Sequence, residues 1–311
     1  MEERRYDLVA IGEPMLEFNQ LRRDDPTTYR QGFGGDTSNC IIAAARLGAR
    51  TAYVTRLGSD TFGRLFLDLW RSEGVETRGV AIDADAPTGI YFVTHGESGH
   101  QFSYLRAGSA ASRMRADTLP MDLVREARVL HVSGISQAIS VGACDAVLAA
   151  MDAAREAGTR ISYDSNLRLK LWPLARARAV ITASMARCDW FLPSLEEAAQ
   201  LSGRADPPSI IDWCHAQGAP VVVLKMGAEG CWVSTREGRT RIQGHRVDAV
   251  DATGAGDCFD GAFAARVCAG DAPAEAARFA NAAAALATTG FGAVAPLPRI
   301  GDVQSLIART R

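Results

Sequence analysis

The stretch Val250-Asp251-Ala252-Thr253-Gly254-Ala255-Gly256-Asp257-Cys258-Phe259-Asp260-Gly261-Ala262-Phe263 sets three small residues and a carboxylate ahead of a long Ala-rich helical pattern. With no bulky side chain at Gly254, Ala255 and Gly256, the N–H groups of a helix N-terminus can approach an anion closely, and the helix dipole favours negative charge there. Asp257 follows in the first turn, within reach of whatever those N–H groups hold. An anion cradle beside a general base is the minimum equipment for moving a phosphoryl group onto a hydroxyl. The same residues also fit a plain turn with an Asp that complements the dipole, so the other stretches have to decide.

A second glycine cluster, Gln31-Gly32-Phe33-Gly34-Gly35-Asp36-Thr37-Ser38-Asn39, feeds another helical pattern. It lacks the spacing of a P-loop and of a dinucleotide turn, while Asp36 and Asn39 offer acceptors and donors suited to sugar hydroxyls. Tyr104-Leu105-Arg106 puts an aromatic ring and a guanidinium on one side of a strand, and Asp164-Ser165-Asn166-Leu167-Arg168 follows a buried strand at its carboxyl end. An Arg in each points to a carboxylate-bearing substrate, because guanidinium forks match carboxylates, although surface ion pairs account for either one taken singly. Leu224-Lys225-Met226-Gly227-Ala228-Glu229-Gly230-Cys231 reads as strand, glycine turn and strand, a nucleotide cover or simply a hairpin. Ser194-Leu195-Glu196-Glu197 opens a helix as a capping box. The histidines form no i,i+4 pair and no G-x-S-x-G elbow occurs.

The elements that must position these residues alternate. Tyr6–Ile11 reads as a buried strand, Asp36–Gly48 as a helix capped by Asp36-Thr37-Ser38, Thr51–Arg56 as a strand and Phe62–Ser72 as a helix. After an interruption the rhythm resumes. Strands are expected at 129–132, 160–163, 190–192, 220–224 and 231–235, and helices at 142–157, 172–187, 195–201, 209–217, 256–269 and 273–288. This order predicts an α/β fold, a mostly parallel sheet covered by helices on both faces. Two segments break it: Glu13–Gln31 reads as polar and irregular, and Thr88–Tyr104 as a hairpin. Together, as 13–33 and 87–107, they read as a small antiparallel lid inserted in one domain spanning 1–311. Asp206-Pro207-Pro208 reads as a surface loop.

Composition sets the outer limits. A chain of 311 residues, 47% hydrophobic and 23% charged, buries a sizeable core. A formal charge of −2 argues against a general binder of nucleic acid or anionic membrane. Lys170 and Lys225 are the only lysines. Seven scattered cysteines without C-x-x-C spacing fit reduced thiols, and no run approaches the ~18 apolar residues of a membrane span. A cytoplasmic protein is expected.

The pairing of Gly34-Gly35-Asp36-Thr37-Ser38-Asn39 with Asp251-Ala252-Thr253-Gly254-Ala255-Gly256-Asp257 resembles the ribokinase-like (phosphofructokinase B-type) carbohydrate kinases along essentially the whole chain. Gly12-Glu13-Pro14-Met15, Pro87-Thr88-Gly89-Ile90-Tyr91-Phe92, Tyr104-x-Arg106, Asn166-x-Arg168-x-x-Leu171-Trp172 and Phe291-Gly292-Ala293-Val294-Ala295-Pro296 are most similar to 2-keto-3-deoxygluconate kinases. The resemblance implies a three-layer α/β/α core with a β lid, and ATP-dependent phosphorylation of the terminal C6 hydroxyl of a 2-keto-3-deoxy-sugar acid. It implies Asp257 as base and Gly254, Ala255 and Gly256 as anion hole. Gly34, Gly35, Asp36, Asn39, Tyr91, Tyr104, Arg106 and Arg168 would hold the sugar acid. Asn166, Lys225, Gly227, Gly230, Thr253 and Asn281 would line the ATP site with Gly254 and Gly256. Glu197 would serve Mg²⁺, a monovalent cation such as K⁺ would assist, and a homodimer would form through the lid. Two positions depart from the pattern: Ser194 stands where the family has Asn, and Ala293 where some relatives carry a substrate-binding Asp.

The alternatives left open are a kinase for a neutral sugar such as fructose or ribose, or for a nucleoside, and an idle sugar- or nucleotide-binding module. The module has no need of Asp257. A dinucleotide oxidoreductase is disfavoured, because the first strand runs into Gly12-Glu13-Pro14-Met15 and not into a glycine-rich turn.

Overall fold

The computed structural model describes residues 4–22, 24–96 and 99–309. The first part of the chain gives Tyr6–Ile11 (β1), Met15–Arg22 (β2), Asp25–Gly34 (β3), Asp36–Arg46 (α1), Thr51–Gly58 (β4), Thr61–Ser72 (α2), Glu76–Asp83 (β5), Gly89–Gly96 (β6) and Gly99–Leu105 (β7). Next come Met121–Arg125 (α3), Ala127–Ser133 (β8), Gly134–Ala138 (α4), Val141–Glu156 (α5), Arg160–Asp164 (β9), Leu174–Met185 (α6), Trp190–Phe191 (β10), Leu195–Ser202 (α7) and Pro207–Ala216 (α8). The last part gives Val221–Lys225 (β11), Cys231–Ser234 (β12), Arg239–Ile242 (β13), Ala255–Cys268 (α9), Pro273–Ala287 (α10) and Ile300–Arg309 (α11).

Nine strands form the main sheet in the order β13-β12-β11-β10-β9-β8-β1-β4-β5, parallel from β5 to β11 and antiparallel at the β12–β13 edge. Side chains alternate across β1: Leu8 and Ala10 join one core with α1, α2, α9 and α10, while Val9 and Ile11 join the other with α5 and its neighbours. The period-2 alternation of a strand thus feeds two apolar layers, and both faces of the sheet are covered. The three-layer α/β/α expectation holds. No helix among the described residues is long and apolar enough to cross a membrane.

The lid is a separate sheet in the order β3-β2-β6-β7. The Glu13–Gln31 segment read as irregular is in fact the β2–β3 hairpin. Its outer strand β3 lies at an edge and is largely exposed, so no apolar alternation marks it in the sequence. The strands β5 and β13 escaped for the same reason, since both lie at edges of the main sheet. The short helices α3 and α4 were not expected, and α11 packs Leu306 and Ile307 on the core beyond the last anticipated helix. The loop expected at Asp206-Pro207-Pro208 is a helix start: Asp206 is the N-cap, accepting from the Ser209 N–H at 2.9 Å, and Pro207 and Pro208 open α8. At α1 the cap is the Gly35 backbone, and Asp36 is the first helical residue instead of the cap.

Helix α1 packs directly on α9, and Gly261 permits the approach, because a Cβ there would run into the Cys40 carbonyl. This contact brings the first turns of the two glycine-led helices together. The lid and the carboxyl ends of β1, β8, β9 and β11 close around that point.

Candidate active site

Gly254 caps α9 in the left-handed region at φ +77°, and a Cβ there would stand 2.9 Å from the Ala293 Cβ. The segment from Gln243 to Thr253 contains no strand, so the turn does not rest on the main sheet. It is held another way. Thr253 donates to Asp251 Oδ1 through its N–H at 2.9 Å and its hydroxyl at 2.6 Å, and Asp251 Oδ2 accepts from the Gly292 N–H at 2.9 Å. Asp251 therefore ties the turn to residues 291–295. Among the described residues beyond its own helix, the atom nearest the place a Gly256 Cβ would occupy is the Lys225 ammonium nitrogen at 3.8 Å. The Ala255 N–H is spent on the Ala252 carbonyl at 3.2 Å, so the early N–H groups of α9 open to a ligand are those of Gly256 and Asp257.

Asp257, in that first turn, accepts from Asn39 Nδ2 at 2.8 Å. Burial, joined by the Asp36 and Asp164 carboxylates, pushes its carboxyl up to about 7 against the opposing effects of Asn39 and Lys225. Asp36 accepts from the Ser133 hydroxyl and from Asn166 Nδ2 at 3.4 Å. Burial raises it to about 6. The α1–α9 contact thus gathers Asp36, Asn39 and Asp257 into one acidic cluster.

A row across the lid runs Gly32, Glu17, Tyr91, Tyr104, each opposite the next in register. The Tyr91 hydroxyl donates to Glu17 Oε2 at 2.5 Å and lies against Gly34. Burial raises the Glu17 carboxyl. The Tyr104 ring lies 5.9 Å from that of Tyr91, and the Arg106 guanidinium 5.9 Å from the Tyr104 centroid. A cavity of about 520 Å³, within the range of small-ligand sites, opens between this face and residues 291–295, with Glu17, Asn19, Gly32, His95 and Ala293 on its walls.

The two arginines are already engaged. Arg106 pairs with Glu13, which is 2% exposed and also accepts from the Ser109 hydroxyl at 2.5 Å. Arg168 pairs with Glu197 at 3.1 Å, and Glu197 accepts from the Ser165 hydroxyl at 2.6 Å. Some polar atoms are left over: Arg106 Nε, Asn39 Oδ1 and Asn166 Oδ1 are buried without a partner.

On the other side of Asp257, Asn166 takes φ +28°, and Gly227 and Gly230 flank a single 3₁₀ turn between β11 and β12. Lys225 is fixed by Asp260 at 2.9 and 3.0 Å and by Asp164 at 3.4 Å. Asn281 spends its amide on the Gln243 carbonyl at 3.4 Å and on Cys231 Sγ at 3.6 Å. Ser194 caps α7 through Glu197 N–H at 3.3 Å, as its capping box predicts. Among the described residues no three His, Cys, Asp or Glu side chains cluster as a metal site.

Sequence reasoning missed Glu13, Glu17, Asn19, Asp251 and Asp260 as members of this neighbourhood. Glu17 carried no signal once its segment was read as irregular, and Glu13, inside the quoted Gly12-Glu13-Pro14-Met15, was given no role. Asp251 and Asp260 sat inside the quoted glycine stretch, where their acidity alone was a signal.

The comparisons with known proteins then bear on this geometry. The pfkB family carbohydrate kinase model matches residues 6–300. The chain belongs to that family. A probable fructokinase-4 of Arabidopsis thaliana is 34% identical over 316 residues, covering 96% of each chain. A fructokinase from Xylella fastidiosa with bound ATP superposes at a TM-score of 0.89 with 26% identity, over 98% of this chain and 99% of the other. A fructokinase from Vibrio cholerae O395 with fructose, ADP and calcium ion bound gives 0.85 and 26%, over 96% and 98%. The chain is thus an ATP-dependent sugar kinase, and these relatives carry the fructokinase name in place of the sugar-acid kinase name the subfamily motifs suggested.

Within this family frame the nucleotide fits the residues present. At the α9 N-terminus a Gly256 side chain would enter open space beside the Lys225 ammonium, room that an anion can use. Of the nearby carboxylates, Glu197 is already shared with Arg168 and Ser165 and Asp164 with Lys225, which leaves a magnesium ion few protein ligands. This suits an ion that keeps its waters and is held mainly by phosphate oxygens.

Proposed function

We propose that this kinase phosphorylates the terminal C6 hydroxyl of a six-carbon 2-keto sugar, with Asp257 as general base and the first turn of α9 as anion hole. The observation that carries the reading is the pairing of Asp257, raised to about 7 and oriented by Asn39, with the open Gly254–Gly256 turn beside it. ATP with Mg²⁺ supplies the phosphoryl group when bound. Asn166, Lys225, Gly227, Gly230 and Asn281 lie on the nucleotide side in this reading, and Glu197 serves the cation through water. The chain's own work is to accept the hydroxyl proton at Asp257, to hold the sugar with Asp36, Asn39, Tyr91 and Tyr104 about Gly34 and Gly35, and to exclude water with the lid. Thr253 acts on the turn through Asp251 and not on the nucleotide directly. The exposed Phe102, Tyr104 and Leu105 of the lid belong to a homodimer contact. Seven buried, unpaired thiols agree with a cytoplasmic protein.

Fructose is the first reading of the substrate. The names of the relatives support it, and so does the state of the two arginines, since Arg106 and Arg168 are each paired with a carboxylate. The second reading, 2-keto-3-deoxygluconate, has one observation of its own. Arg106 keeps a buried Nε donor without an acceptor, next to Tyr104, where a substrate carboxylate would accept from it. The two substrates share the C2 keto group and C6 hydroxyl and differ at C1 and C3. The test is the ratio of kcat/KM for the two sugars, with ³¹P–¹³C NMR locating the phosphate. A fructose preference with phosphate on C6 is expected; phosphate on another carbon would break the proposed orientation. Arg106→Ala separates the readings further: KM for the acid rises far more than KM for fructose if the acid is the substrate, and the two change alike if it is not.

The pH profile follows from Asp257. Its carboxyl must be ionised to accept a proton, and its folded value is raised, so kcat/KM falls about tenfold per pH unit below pH 7 and is flat above. A flat profile from pH 5 to 8 would remove Asp257 as the titrating base.

A further inference from the structure

Behind the anion hole lies a cluster that the proton transfer does not use. Lys225 ends β11, Asp164 ends β9, and Asp260 lies one turn beyond Asp257 on α9. Lys225 is 12% exposed, Asp164 7% and Asp260 1%. Two carboxylates and one ammonium in so dry a place would leave an uncompensated negative charge, which is costly. The carboxyls hydrogen-bond each other: Asp260 is pushed well above the usual carboxylate range by burial, and Asp164 is held below it, chiefly by Lys225. The ammonium donates to both Asp260 oxygens at 2.9 and 3.0 Å and lies 3.4 Å from Asp164, so it is clamped between the two carboxyls.

That clamp has a direction, because the ammonium nitrogen sits 3.8 Å from where a Gly256 Cβ would be. The titratable groups around it are His131 on β8, Asp164 on β9, Glu197 on α7, Asp36 on α1, and Asp257 and Asp260 on α9. His131 is neutral, since burial lowers it to about 4. Against these acids the cations are Lys225 and Arg168, and Arg168 is 47% exposed.

We propose that Lys225 is a positioning residue for phosphoryl transfer: clamped by the Asp164–Asp260 pair, its ammonium fixes a positive charge beneath the Gly254–Gly256 turn. The inference rests on the phosphoryl-transfer reading of that turn. The charge strengthens the anion hole where negative charge gathers, and it favours the ionised form of Asp257. Asp260 acts one step further back by keeping the ammonium from swinging toward solvent.

Two variants test it. Lys225→Met removes the charge, and the double variant Lys225→Met/Asp164→Asn removes it together with one buried carboxyl, so the net charge of the buried trio is kept and folding is safeguarded. The ¹³C NMR titration of the Asp257 carboxyl needs no substrate, and therefore its outcome is independent of whether the substrate reading holds. In Lys225→Met this titration is expected to move up by about one pH unit. In both variants kcat should fall by about tenfold or more, with KM for the sugar within about threefold, as when an electrostatic donor is lost. A purely structural lysine would lower Tm and leave both the Asp257 titration and the kcat of the folded double variant unchanged; that pair of results would overturn the proposal.

Discussion

Asp257→Asn is expected to lower kcat by about 10²–10⁴, the usual share of a general base, while leaving sugar and nucleotide binding nearly intact. The amide keeps the size and the hydrogen bond to Asn39 in some form, so the loss isolates the proton acceptor. The same substitution should stabilise the fold. The folded-state carboxyl is raised to about 7, so ionising it in place costs stability that an unfolded carboxyl does not lose. The advantage of Asn over Asp grows as pH rises from about 4, the unfolded value, to about 7, and levels off above. A thermal melt at pH 5 and pH 8 alongside the kinetics checks both halves. Near-normal turnover would dismiss the base; a lower Tm at pH 8 would dismiss the raised carboxyl.

Gly254→Val should be as damaging to turnover, by about 10²–10³, the range for a lost oxyanion-hole donor. A β-branched residue is strained at φ +77°, and its Cβ would press 2.9 Å from Ala293 Cβ. The turn must then shift, and the N–H groups of α9 turn away from the phosphate. The signature is a loss in kcat together with weaker ATP binding by calorimetry, while Asp257 and Asn39 stay in place. An unchanged ATP affinity and kcat would mean that the phosphate sits elsewhere. Gly256→Ala, whose Cβ would stand 3.8 Å from the Lys225 ammonium, an ordinary contact distance, should be milder.

Why the chain yielded its core and its base so readily is a matter of burial. The strands β1, β8 and β9 are buried along nearly their whole length and carry apolar runs or alternation, and a glycine turn before a helix is locally distinctive, so both show in one dimension. The lid strand β3 has neither property: exposed and polar, it pairs only because β2 lies beside it. Glu17 reaches the site through that pairing, opposite Tyr91, and no local pattern announces it. The arginines illustrate the converse. Arg106 and Arg168 were recognisable as charges aimed at a site, but their partners Glu13 and Glu197 come from distant segments, 93 and 29 residues away. Only the folded arrangement shows that each charge is already balanced, and that balance is what shifts the substrate reading toward a neutral sugar. Asp251 is similar: its place in the glycine stretch was plain, yet its bond to the Gly292 N–H joins segments 41 residues apart.

The most direct test of the central claim is sugar-dependent ADP release from ATP with Mg²⁺, measured with fructose, 2-keto-3-deoxygluconate, ribose and adenosine in parallel. The account predicts rapid release with a 2-keto six-carbon sugar, one ADP for each sugar phosphate formed, and little with ribose, adenosine or no sugar. ADP release at the same rate with and without every sugar, or none at all while nucleotide binds, would contradict it.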